Sequence, residues 1–300
     1  MSVLDIQSIR NASLKSIALL ILIALPLYGA AKTATSSTYN VTRDIVYGDP
    51  QDAYSELQSL DIYWQDNKVA RPVIIYVHGG SWAFGDKSDV NSKPDFFVPE
   101  DIVFISMNYR LRWDHQLYDQ LDDIVSVVKW VKANSETFGL DSDRVILMGH
   151  EAGAHLVSLV STDPRYMKAQ GMSLKSIKAA VAIDTMSFDI PRVMKELGSF
   201  VQRRQHRLIF GEELASQLAA SPITHIDQGK NIPQFALLYV ADDEVNQIQT
   251  QAFAKSLISA NVSVIMIPGN ATTRQTIDVE LGTSKDASSG ALMAFIRATF

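Results

Sequence analysis

The chain has 300 residues, 47% hydrophobic and 20% charged, which is ample apolar material for one sizeable globular core. Its net charge of −6, with no basic block or stripe, excludes nucleic acid as the expected partner. With no cysteine, it has neither a disulfide framework nor a thiol nucleophile.

Arg10 and Lys15 precede an apolar run from Ile17 to Tyr28, followed by Gly29-Ala30-Ala31. A charged start, an apolar stretch and a small-residue end are the pattern of a secretory signal peptide, here residues 1–31. The run is short against the ~20 apolar residues of a membrane span, and Pro26 interrupts it. Export to a periplasmic or extracellular space is therefore expected, with membrane association only through this segment if it stays uncleaved. Residues 32–40 read as a small, polar linker, and 41–300 as a single domain.

Short β-like runs then alternate with longer helical ones. The strand candidates are 41–47, 60–64, 73–77, 103–107, 145–148, 179–183, 235–240 and 262–267. The helix candidates are 117–134, 152–161, 212–220, 249–259 and 287–299. In the first helix candidate Leu117, Leu121, Ile124, Val128 and Val131 recur at three- and four-residue spacing and build one apolar face. Runs such as Val73-Ile74-Ile75-Tyr76-Val77 are apolar throughout, as in a parallel sheet covered on both faces. The order predicts an α/β fold, a mostly parallel, doubly wound sheet with helices on both faces. Residues 185–215 are less regular and are expected to form a small cap.

Two loops carry the candidate chemistry. His78-Gly79-Gly80-Ser81-Trp82 follows the strand 73–77, and its glycines let backbone N–H groups approach a ligand closely. Gly149-His150-Glu151-Ala152-Gly153 lies between the strand 145–148 and the helix 152–161. Strand, Gly-x-Ser-x-Gly and helix make the sharp turn that presents a nucleophilic serine, and here Glu151 stands at the serine's place.

These loops, with Leu60-Asp61-Ile62-Tyr63, Asn108-Tyr109-Arg110-Leu111, Asp141-Ser142-Asp143-Arg144-Val145, Ser221-Pro222-Ile223-Thr224 and Leu281-Gly282, resemble the secreted esterase/lipase-like branch of the α/β-hydrolase superfamily. The pattern is close to that of bacterial feruloyl-esterase-like and carboxylesterase-like proteins. The resemblance covers 41–300 and implies an α/β-hydrolase fold and an oxyanion hole made by Gly79, Gly80 and Ala152. It also implies a triad in the chain order nucleophile, acid, histidine. The acid position falls on Asp242, with Asp243 as the fallback. The histidine position, in a segment similar to Gly-Lys-x-His-x-x-Ile-Asn-x-x-Leu-Gly, falls on Arg274. No histidine follows the acid: the six are His78, His115, His150, His155, His206 and His225.

Arginine stays protonated and cannot serve as the base of a serine pathway. Glu151 as a carboxylate nucleophile would lack a base for the second step, and its extra methylene misplaces the attack. A helix start instead favours a resident negative charge, which suggests an ion-pair triad of Asp242, Arg274 and Glu151. The expectation is an exported, catalytically degenerate protein, a pseudoenzyme, that binds a small carboxylic ester, a related ligand or a protein. The alternatives are an active carboxylic-ester hydrolase with an atypical catalytic set, and a structural or interaction domain with a filled pocket. Neither metal-ligand spacing nor a dinucleotide fingerprint is present, so no metal and no cofactor is expected.

Overall fold

The computed structural model describes residues 39–52, 54–66 and 69–300. Eight strands, β1 Asn40–Val46, β2 Ser59–Trp64, β3 Arg71–Val77, β4 Val103–Met107, β5 Leu140–His150, β6 Ala179–Ile183, β7 Gln234–Val240 and β8 Val264–Gly269, form one sheet. Its spatial order is β1-β2-β4-β3-β5-β6-β7-β8. β1 and β2 pair antiparallel, as do β2 and β4, and every later pair is parallel. This is the expected doubly wound α/β architecture. The expected signal peptide, and the linker up to residue 38, lie outside the described residues. Asn40, the last residue of that linker, already pairs with Trp64 in β1.

The helices that matter here are α1 Lys93–Phe97, α2 Leu117–Ala133, α3 Ala152–Thr162, α4 Phe200–Phe210, α5 Leu214–Ala219, α6 Glu244–Ser259 and α7 Ser289–Thr299. Side chains alternate along β3. Val73, Ile75 and Val77 pack with α2 and α3, whereas Ile74 and Tyr76 pack with Phe97 of α1 and Leu292 and Ile296 of α7. The sheet is therefore buried on both faces, and each fully buried aliphatic side chain contributes about 1.5–3 kcal/mol. On α2 the expected stripe is buried at Leu121, Ile124, Val128 and Val131, while Leu117 only packs against its edge. Arg110 fixes the chain just before α2 by a two-oxygen grip on the buried Asp123, with Nη2 at 2.8 Å.

The sequence pattern did not foresee α1, whose Lys93 is wholly buried against Asp278, Nζ to Oδ1 at 2.9 Å. Tyr76 donates its hydroxyl to the same Asp278 oxygen at 2.8 Å. This cluster pins the segment after β8 to the underside of the sheet, and that segment carries Arg274.

Candidate functional site

The parallel strands all end at one edge of the sheet, where ligand sites of open α/β sheets form. β5 stops at His150 and α3 starts at Ala152, so the whole reversal falls on Glu151, at φ 49° and ψ −108°. That left-handed backbone costs a non-glycine residue about 1–3 kcal/mol. The turn is tight because any side chain on Gly149 would overlap Gly153, and one on Gly153 would overlap the Val77 carbonyl. The glycine frame of the elbow is thus needed by packing, whatever residue occupies its apex.

Glu151 reaches across to the loop after β3. Its Oε2 accepts hydrogen bonds from the backbone amides of Gly80 and Ser81, both at 2.8 Å. Gly80 has φ 119°, and a Cβ there would overlap the Phe84 carbonyl, so only glycine turns this amide inward. The expected amides were those of Gly79, Gly80 and Ala152. Gly80 is among the donors, while Gly79 and Ala152 give no hydrogen bond to the carboxylate. The cause is length: a glutamate extends past the start of its own helix and meets the facing loop one residue further on, at Ser81.

Of the two acid candidates, Asp242 and its fallback Asp243, Arg274 pairs with the fallback. Arg274 grips Asp243, Nη2 to Oδ2 at 2.8 Å and Nε at 3.0 Å, and makes no ion pair with Asp242 or Glu151 among the described residues. Asp243 is the N-cap of α6, accepting from the Asn246 amide at 3.0 Å, which aims its carboxylate at Arg274. Burial works to raise the Asp243 carboxyl, but the cap bond and the Arg274 guanidinium outweigh it and hold it below its usual range. Asp242 instead faces an open surface hollow beside Thr272 and Thr273. The expected three-member ion-pair triad is therefore a two-member pair. Arg274 itself is placed by its backbone: its carbonyl accepts from His150 Nε2 at 2.9 Å.

Glu151 and Arg274 still line one small cavity, of about 40 Å³, together with Trp82, Asp184, Ser187, Gln202, Gln205 and His206. At ~10–15 Å³ per water by this measure, it holds a few waters and no ester. Three of the walls, Gln202, Gln205 and His206, come from α4, so part of the segment 185–215 covers the site as a cap. Asp184 follows β6 at φ 52°, is fully buried, and bonds Asn246 through Oδ1 while Oδ2 has no partner. Burial pushes its carboxyl up from the ordinary value. Ser187 and His206, both buried, share a hydrogen bond of 2.9 Å, and His206 Nδ1 lies 2.8 Å from the Gln202 carbonyl. Nδ1 therefore carries the proton, leaving Nε2 to accept from the Ser187 hydroxyl. Burial holds the His206 imidazole below its usual value, and so neutral near pH 7.

His155, on α3, is structural. Its Nδ1 accepts from Trp82 Nε1 at 3.1 Å, and its Nε2 donates to the Ala220 carbonyl at 2.8 Å. Burial lowers it to about 4. Among the described residues no group of three or more His, Asp or Glu side chains converges as metal ligands. Sequence reasoning missed Ser81 as an amide donor and missed Asp184, Ser187, Gln202, Gln205 and His206. Asp184 had a readable signal, its place directly after a strand of the parallel sheet. The α4 residues had none, because nothing in their pattern says which way the helix docks.

Comparison with known proteins bears on the family and the fold. Residues 60–257 match the family model described as BD-FAE. The probable carboxylic ester hydrolase LipM of Mycobacterium tuberculosis is 26% identical over 217 residues, 69% of this chain and 49% of its own length. The probable isoprenylcysteine alpha-carbonyl methylesterase ICMEL1 of Arabidopsis thaliana is 26% identical over 249 residues, 78% of this chain and 51% of its own. The chain thus spans about half the length of these two curated relatives. Among solved structures, esterase B from Lactobacillus rhamnosis aligns with a TM-score of 0.71 at 20% identity, over 88% of each chain. Esterase Est2 of Thermogutta terrifontis aligns at 0.66 and 19% identity, over 87% of this chain and 91% of that one. The sheet order, the elbow at Glu151 and the family match lead to one conclusion: the chain belongs to the BD-FAE family of esterase-like α/β-hydrolases.

Proposed function

We propose that this protein is an exported, catalytically degenerate member of its family that acts by binding. The observation that carries this reading is the Glu151 carboxylate on the Gly80 and Ser81 amides. In the family pattern amides of this loop polarise a substrate carbonyl oxygen, and here a charged oxygen of the protein's own already uses two of the loop's amides. Arg274, at the histidine position, is a permanent cation engaged with Asp243, and the neutral His206 is bonded to Ser187 and Gln202 rather than to Glu151. The cavity of about 40 Å³ supports the filled form of the pocket. While α4 is seated, binding of a small carboxylic ester requires the cap to lift, and binding of a protein on the outer surface does not.

The test is hydrolysis of a short-chain aryl ester by the native chain, by Glu151→Ser, and by Glu151→Ser combined with Arg274→His. The native chain should stay within the residual ~10³–10⁴-fold acceleration that binding and amide donors alone provide. Turnover by the native chain at ordinary esterase rates, abolished by Glu151→Ala, would overturn the proposal. Export rests on the pattern at residues 1–31, and N-terminal sequencing of the mature protein tests it.

One observation favours the runner-up, an active hydrolase with an atypical catalytic set: the hydroxyl of Ser187 held at 2.9 Å from a neutral His206 in the same cavity. That pair has the nucleophile–base geometry of hydroxyl activation. A fluorophosphonate that labels the native chain but not Ser187→Ala would establish it, and absence of label excludes it.

A further inference from the structure

Outside the site, one surface departs from the rest of the molecule. Phe84, Trp113, Phe200, Val201 and Leu208 are between 60% and 74% exposed. Four of them, Phe84, Trp113, Val201 and Leu208, line a single open groove of about 580 Å³ with Arg112, Arg204 and Gln205. Scattered exposed apolar residues mean nothing, but a contiguous set around one groove marks a contact surface. The charge there also runs against the chain. The protein is net −6, yet α4, Phe-Val-Gln-Arg-Arg-Gln-His-Arg-Leu-Ile-Phe, carries three arginines and no acid. Arg207 reaches Glu212 at 3.3 Å, whereas Arg203 and Arg204 make no ion pair among the described residues.

We infer that this face docks peripherally on an anionic phospholipid bilayer. A short helix with apolar side chains and arginines on its outer surface suits the boundary between headgroups and acyl chains. Trp113 suits it too: its Nε1 is already satisfied by the Ala83 carbonyl at 2.8 Å, and its ring meets Phe84 edge-on at 5.6 Å. No helix among the described residues is long and apolar enough to cross a membrane, so the contact lies in the surface plane. The charge complementarity, Arg112 and Arg204 on a groove lined by no acidic side chain, is what selects an anionic bilayer over a neutral one. The location gives the contact a role, because Gln205 lines both the groove and the small cavity. A membrane that engages the outside of α4 engages the cover of the site.

The chain has no cysteine, so one introduced cysteine gives a unique label. The full chain with Leu208→Cys carrying the fluorophore NBD is mixed with vesicles of phosphatidylcholine alone, or of phosphatidylcholine with phosphatidylglycerol. Ile258→Cys, on α6 outside the patch, is the labelled control. The expected result is a blue shift at position 208 with the anionic vesicles only, suppressed by salt, and none at 258. In co-sedimentation, Arg204→Gln should weaken binding roughly 5-fold, from the contribution of one arginine near an anionic surface. A thermal melt confirms that these surface variants are folded. The inference fails if the 208 label is unmoved while the chain sediments with vesicles, because the bound face is then another one. It fails equally if neutral vesicles shift the label as much. Dodecanoate alone shifting it, or the 208 label being buried in a dimer without lipid, assigns the groove to a different occupant and overturns the bilayer.

Discussion

Replacing Glu151 separates what its side chain contributes from what its backbone costs. In Glu151→Ala the backbone stays at φ 49°, so the strain is retained while both amide bonds at 2.8 Å are lost. Hydrogen bonds to a charged group contribute about 1.5–3 kcal/mol each when buried. Glu151 is only part-buried and water can replace the carboxylate, so the expected loss for the pair is about 2 kcal/mol. For a domain of this size that lowers Tm by roughly 4–8 °C. Glu151→Gly loses the same bonds but relieves strain of about 1–3 kcal/mol, offset by ~0.5–1 kcal/mol of extra chain entropy in the unfolded state. The expected stability order is therefore native, then Gly, then Ala, with Gln close to native because its oxygen still accepts from both amides. Urea unfolding of the four proteins gives the order directly, and hydrogen exchange at the Gly80 and Ser81 amides reports the loop. An Ala variant more stable than the native chain would refute the reasoning. It would mean that the carboxylate is held there against its own preference, as strained groups are in working active sites.

Three further outcomes follow from buried groups. His155 is lowered to about 4 in the folded state against ~6.5 unfolded. The unfolded chain therefore takes up the proton first, and stability, complete above about pH 6.5, falls as pH drops toward 4, by about 2 kcal/mol at roughly pH 5. His155→Gln should remove that part of the pH slope, measured by urea unfolding across the range, and an unchanged slope would contradict the assignment. Asp243, held low by its cap bond and Arg274, adds stability above the unfolded carboxylate value near ~3.9 that is lost as pH falls through its lower folded value. Asp243→Asn should flatten the acid limb there, while Arg274→Ala should cost no more than about 1 kcal/mol, because the pair is partly exposed. Lys93→Met leaves the buried Asp278 carboxylate with the Tyr76 hydroxyl but no lysine, and should cost about 3–5 kcal/mol, partly recovered by adding Asp278→Asn. Equal stability of the single and double variants in urea would show that Asp278 finds another partner.

The inner strands were legible in the sequence because each carries a short apolar run closed by turn residues, and the parallel sheet buries both of its faces, whereas β1, Asn-Val-Thr-Arg-Asp-Ile-Val, is a mostly exposed edge. The elbow was legible for the same kind of reason: Gly149 and Gly153 are demanded by packing and leave a fixed spacing. What failed was direction. Asp242 and Asp243 are neighbours in a loop, and only the N-cap role on α6 decides which of them turns to Arg274. The carboxylate of Glu151 was expected over a helix start, but its length carries it to Ser81. Helix α4 lay inside the expected cap, yet its outer arginines and apolar residues carry no sequence signal for the groove they share with Phe84 and Trp113, which lie far away in the chain.

Trp82 ties these parts together. It sits in the amide-bearing loop, its indole donates to His155 of α3, its carbonyl accepts from Gln120 of α2 at 2.8 Å, and its ring meets His206 and Phe210 of α4 edge-on. The cap therefore rests on the same residue that helps fix the loop presenting the Gly80 and Ser81 amides. The amide-bearing loop and the cap thus share one side chain as a joint support. A coupling carried by Trp82 would act equally in both directions, the lifting of α4 weakening the hold on Glu151 as much as displacement of Glu151 loosens α4. The two ends of that linkage are a carboxylate inside the protein and a helix surface outside it, so on the proposed reading the site reports on what touches its cover.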